Sequence, residues 1–147
     1  MSLLFYAGKS KKASKMVQII IEGRASREVI EIFSTIEDLS TRLRRPRGDL
    51  ILMILLISSR KELMEVLLIR DLLVDMSIIL ILPDRKKKTI DLGHKLCPRF
   101  LSYLDGDFSD VAMVLNKMMN NAYAKEKKMR DMLRSGMKQT QAVSHPN

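Results

Sequence analysis

Leu50–Ile57 reads LILMILLI, eight apolar residues with no polar interruption. A strand with one wet face alternates polar and apolar residues. This run does not, so it predicts a strand buried on both faces, at the centre of a parallel sheet covered on both sides. Ser77–Leu82 (SIILIL) has the same character and stops at Pro83-Asp84. Both runs fall far short of the ~20 residues that a membrane-spanning helix needs. Two weaker runs complete a first set of strands. Met16–Glu22 (MVQIIIE) is β-branched and ends at Gly23, and Arg99–Tyr103 (RFLSY) alternates between Pro98 and Asp105-Gly106-Asp107.

Between these runs the apolar period becomes helical. Ser26–Arg45 carries Val29, Ile32, Phe33, Ile36, Leu39 and Leu43 on one stripe, ended by Pro46 and Gly48. Ser59 with Glu62 three residues later forms a capping-box pattern that opens a helix running to about Val74. A short polar helix from about Lys86 to Leu96 is interrupted by Gly93, and a last helix starts at Phe108 or Ser109 and either continues past Met132 or frays after Ala124. The predicted order is β-α-β-α-β-α-β-α, the pattern of right-handed parallel crossovers. Leu3–Ala7 (LLFYA) is a possible extra strand that would pair with Met16–Glu22. The expected fold is α/β: a doubly wound, mainly parallel sheet of four to five strands flanked by helices, with a long C-terminal helix. Residues 1–124 would form the domain, and residues 125–147 a basic helical extension and disordered tail.

The 147 residues are 46% hydrophobic, enough for a buried core and too many for a disordered chain. The net charge of +9 is concentrated at the two ends. Residues 1–16 carry Lys9, Lys11, Lys12 and Lys15 with no acid, and residues 117–147 carry seven bases against Glu126 and Asp131. Residues 17–116 hold fifteen bases and fifteen acids. Two basic ends are either solvated tails or non-specific contacts for nucleic acid or another anionic surface, with affinity that falls steeply with salt. The early apolar stretch precedes the lysines, the reverse of a secretory signal, and Cys97 is the only cysteine. Both features predict a cytoplasmic protein without a membrane span.

From Asp49 onward the chain resembles the receiver domain of bacterial response regulators. Asp49-Leu50-Ile51-Leu52-Met53-Ile54 looks like that family's third strand, Ile79–Asp84 its fourth and Phe100–Tyr103 its fifth. The helix after Phe108, with Val111, Val114, Leu115 and Met118, corresponds to its final helix, and Val17–Gly23 followed by Ser26–Phe33 to its first strand and helix. The resemblance implies a flavodoxin-like fold. It also shows what is absent. The family's magnesium-binding acidic pair falls on Glu22 and Gly23, its phosphoacceptor Asp on Ile54, its Thr/Ser on Pro83 and its Lys on Tyr103. Ile offers no nucleophilic oxygen, one carboxylate holds magnesium poorly, and Tyr is no cation. The stretch between Ser26 and Asp49 looks too short for a helix, a strand and a second helix, so the family's second strand is expected to be missing.

The functional expectation is a signalling or protein-interaction module that works without phosphorylation, with no enzymatic activity, no cofactor and no metal. The alternative is binding of nucleic acid or an anionic surface through the basic ends. An enzyme with its ligand near Glu22, Ser58 and Arg85 is the weakest reading, because no matched acid and base accompany them. Arg85, Lys86, Lys87 and Lys88 follow a parallel strand and crowd a predicted helix start, which an anion or acidic partner would relieve. If the helix instead begins at Thr89, the lysines are a solvated loop. Met118, Ala122, Met129 and Met132 lie along the heptad seam of the last helix, which Lys125 breaks, and with the neighbouring Leu133 they are the candidate surface for a protein partner or a second copy. Two ligands, His94 and Cys97, are too few for a metal site, and Cys97 is expected to be buried. Asp105, Asp107 and Asp110 read as turn and cap residues. Arg42, Arg44, Arg45 and Arg47 read as a basic helix end. Ala7-Gly8-Lys9-Ser10 echoes a phosphate loop, but Leu3 stands where the first Gly is required.

Overall fold

The computed structural model describes residues 2–25 and 27–143, without the side chains of residue 51 and residues 137–143. Five strands form one sheet: β1 (Ser2–Tyr6), β2 (Val29–Phe33), β3 (Leu50–Leu56), β4 (Ile78–Leu82) and β5 (Phe100–Tyr103). They alternate with α1 (Lys11–Arg24), α2 (Ile36–Arg44), α3 (Arg60–Leu67), α4 (Lys87–His94) and α5 (Ser109–Val143). The strand order is β2-β1-β3-β4-β5 and every pairing is parallel. This is the doubly wound order 2-1-3-4-5, in which chain direction across the sheet reverses between β1 and β3.

The expected α/β fold, parallel sheet and long last helix are all present. β3 and β4 occupy the centre, and Leu52 to Ile57 and Ile78 to Leu82 are fully buried, as their unbroken apolar runs require. One face of the sheet carries α1 and α5 over Leu3, Phe5, Ile54 and Ile79. The other carries α2, α3, a 3-10 turn at Arg70–Leu73 and α4, over Leu4, Tyr6, Met53 and Leu80. Among the described residues no helix is long and apolar enough to cross a membrane.

The first third of the chain departs from expectation. Met16–Glu22 is not a strand but lies inside α1. Ser10 caps that helix through Ala13 N, and Ala13, Val17 and Ile21 form its buried stripe, leaving Ile19 61% exposed. Burial at four-residue spacing outweighs the strand preference of three consecutive isoleucines. Leu3–Ala7 is not a partner of that segment. Leu3 to Tyr6 belong to β1, the inner strand between β2 and β3. The helix expected over Ser26–Arg45 is two elements, because Thr35 caps α2 by accepting from Asp38 N and so splits the stripe. Val29, Ile32 and Phe33 belong to β2, and only Leu39 and Leu43 keep the buried helical spacing. The strand expected to be missing is therefore present as β2. The helix opened by Ser59 stops as regular α-helix at Leu67 and continues through the 3-10 turn.

Helix α5 has two parts. Val111, Leu115 and Met119 are buried against the sheet and Tyr123 is half-buried, its hydroxyl donating to Glu28. From residue 124 to residue 136 every side chain is exposed. At 1.5 Å per residue the 35-residue helix is about 50 Å long, against ~30 Å for a small domain. The disordered tail expected at the end of the chain lies, beyond residue 143, outside the described residues.

Candidate functional site

In an open α/β sheet the carboxyl ends of the strands form the ligand edge, and the crevice opens where the strand order reverses. Here that is between β1 and β3, where the loops Ala7–Ser10 and Ile57–Ser59 meet. Gly8 adopts φ +63°, and a Cβ there would stand 2.3 Å from Leu56 O and 2.9 Å from Ser58 Oγ. Only glycine allows the β1 loop to rest directly on the end of β3. The amides of Lys9 and Ser10 both donate to Ser58 Oγ, at 2.9 and 3.0 Å. Ser14 Oγ donates to Ala7 O and closes the loop from the other side. These are the strand-loop-helix amides that would cradle an anion in a phosphate loop, and in this chain an internal hydroxyl occupies them.

Beneath them Glu62 is buried, and its Oε1 accepts from Ser58 N at 3.0 Å. Its N–H donates to Ser59 Oγ at 3.2 Å, so the predicted cap of α3 forms, with the carboxylate reaching one residue further back than a capping box requires. Oε2 makes no hydrogen bond, although Tyr6 lies alongside. Burial first, and then the neighbouring Glu62 carboxylate, push the Tyr6 phenol far above its ordinary value.

The acceptor-like position Ile54 lies within β3, fully buried, with Phe5 and Ile79 as its register partners. The strand continues past it to Leu56, so the residues at the mouth are Leu56, Ile57 and Ser58. Glu22 sits at the far end of α1 and is exposed, away from the crevice. With β1 as the inner strand, the residues that follow it are Ala7 and Gly8, and neither is acidic. Among the described residues no group of three or more His, Cys, Asp or Glu is arranged to hold a metal ion.

The basic cluster divides. Arg85 turns toward β5: its Nε and Nη2 bond both oxygens of Asp105 at 3.1 Å, and its guanidinium lies 4.0 Å above the Tyr103 ring. The Arg85 partner and its charge hold the Asp105 carboxyl below the usual range. Lys86 stands at the N-cap of α4 and Lys87 and Lys88 in its first turn, all exposed, so the helix begins before Thr89. Asp84 accepts from Lys86 N at 2.9 Å, and the Thr89 hydroxyl and that amide lower its carboxyl pKa. The buried Thr89 also receives Arg60 Nε at 3.2 Å, tying α3 to α4.

Sequence reasoning did not find two other cationic helix starts at this edge. α1 opens with Lys11-Lys12 and α3 with Arg60-Lys61, each following one of the neighbouring strands β1 and β3. Lys11 and Lys12 could have been placed there only by reading Leu3–Ala7 as the inner strand. Asp107 accepts from Ser109 N at 3.0 Å at the start of α5, the cap role expected for it. Cys97 is exposed rather than buried, at φ +52° just past the end of α4, where it closes a turn onto His94 O.

The candidate interface residues also divide. Met118 and Ala122 line an open cleft of about 430 Å³ at the amino ends of the strands, with Ser77 and Arg99. Met129, Met132 and Leu133 lie beyond it on the bare part of α5, 64–66% exposed. Compared with known proteins, the chain matches no family model, no curated protein and no solved structure, so its function is read from this geometry alone.

Proposed function

We propose that this chain is a receiver-like protein-interaction module that works without phosphoryl transfer. One observation carries the reading: Ser58 Oγ accepts both Lys9 N–H and Ser10 N–H while Gly8 seats the same loop on Leu56 O. The crevice that serves as a ligand site on this topology is sealed by the chain's own groups. Apolar Leu56 and Ile57 stand at its mouth, and the Glu62 carboxylate beneath is buried and accepts from Ser58 N. The hydrophobic scaffold is kept in full, and exposed surfaces remain for binding. Lys86, Lys87 and Lys88 stand at one end of the sheet, and Met129, Met132 and Leu133 on the helix that leaves the other.

The test is chemical. Incubation with magnesium and acetyl phosphate, followed by intact-mass measurement at short times, leaves the mass unchanged. An added phosphoryl group on any Asp would remove the proposal. Pull-down from native lysate then returns protein with or without nuclease treatment, and an eluate that nuclease abolishes would favour the anionic-surface reading instead.

A further inference from the structure

The part of α5 after Tyr123 carries two separate stripes. At about 100° per residue, Met129, Met132, Leu133 and Gly136 fall on one side of the helix, with Lys125 on that side one turn earlier and Glu126 at its edge beside Leu133; Lys128 and Arg130 flank them left and right, and Lys127 and Arg134 lie behind. Residues 124–136 hold Lys125, Lys127, Lys128, Arg130 and Arg134 against Glu126 and Asp131, a net +3. Among the described residues of this stretch Arg130 pairs with Glu126 at 3.4 Å, an exposed contact of little weight.

A second copy fits this surface badly. In a parallel pair along the heptad seam, Lys125 meets its own counterpart and Gly136 leaves a hole. The flanking positions Asn121 and Lys128 face Glu126 and Leu133, so no new ion pair forms. A lipid surface fits little better, because residues 124–143 contain no aromatic residue to seat at the headgroup level. Nucleic acid would take the cations and leave the methionine stripe in water. A surface that is apolar at its floor and acidic along both rims satisfies both stripes at once.

We infer that the extension of α5 docks as a helix into an apolar groove with acidic rims on another protein. Met129, Met132 and Leu133 enter the floor, methionine adapting to its contour, and Lys128 and Arg130 meet the two rims. The inference rests on the protein-binding reading above and names the partner's chemistry.

The experiment places benzoylphenylalanine at Met132, and in a second variant at Lys88, in the full chain, with irradiation in native lysate. Both positions are exposed, so neither variant disturbs the core. The expected result is a nuclease-resistant adduct with a different protein from position 132. That protein, purified, binds the full chain one to one, and K128E/R130E weakens binding about tenfold. Raising salt from ~50 to ~300 mM weakens the unmodified pair in the same direction. An adduct of twice the chain's mass, an adduct removed by nuclease, no adduct at all, or binding indifferent to K128E/R130E would each overturn the inference. An adduct from position 88 and none from 132 would overturn it while leaving the protein-binding reading in place.

Discussion

The crevice between β1 and β3 and the outer half of α5 treat their binding groups in opposite ways. In the crevice the loop amides of Lys9 and Ser10 are paired internally, by a hydroxyl 48 to 49 residues away in sequence. On α5 beyond Tyr123, thirteen consecutive residues are exposed, three of them large and apolar. A fold of this kind ordinarily keeps its strand ends open and its helices packed. That reversal is what motivates the proposal that this molecule meets others along the helix that leaves the body and not in the cleft that the topology provides.

The sharpest way to break the contrast is to reopen the crevice. Gly8→Ala places a Cβ against Leu56 O at a left-handed φ, and should cost about 3 kcal/mol or more in urea denaturation. A loss under about 1 kcal/mol would mean that the loop is not seated on β3 at all. Ser58→Ala leaves two amides without their acceptor, for an expected loss of about 2 kcal/mol.

Tyr6 adds a pH dependence. Its phenol is held protonated more strongly in the folded state than in the unfolded chain, so its contribution is complete below pH ~10 and declines as pH rises through the folded value. Denaturation midpoints should therefore fall above pH ~10, and Tyr6→Phe should flatten that limb. An unchanged slope in the variant would show that the fold does not hold the Tyr6 phenol protonated.

On the other side of the comparison the expected effects on stability are the smallest. Arg85→Ala removes an exposed ion pair and should leave the denaturation midpoint nearly unmoved. Met132→Ser and K128E/R130E should not move it, because these side chains are exposed. Hydrogen exchange would sharpen the same point. Amides of residues 109–123 should open only with the core, and those of 124–136 at far lower cost, since a helix this long without packing is marginal in water. Equal protection along the whole of α5 would contradict the picture of a bare extension.

How far the sequence could be read depended on whether a segment's environment was uniform. Leu50–Ile57 and Ser77–Leu82 are covered on both faces, so composition alone marked them as central strands. The Ser59–Glu62 pattern is local chemistry and marked the start of α3 correctly. Met16–Glu22 misled because one face of α1 is buried while Ile19 and Glu22 are exposed, and the isoleucine run hides the Ala13, Val17, Ile21 spacing. Val29–Phe33 misled because β2 is an edge strand with Val29 and Ile32 both exposed, so it lacks the alternation of a half-buried strand. The site was harder still. Lys86–Lys88 were visible as a charge run. The role of Ser58 depends on a loop brought to it by the sheet, and no local pattern announces that.

The central claim is that the strand-end crevice is occupied by the chain itself. An amide chemical-shift titration of the intact protein with magnesium and acetyl phosphate tests this most directly, read at Lys9 and Ser10. Both amides should stay in place, with any small shifts confined to the exposed lysines and declining with salt. Saturable movement of the Lys9 and Ser10 resonances, persisting at high salt, would mean that Ser58 yields to an anion, and the account of a closed, non-phosphorylating module would be wrong.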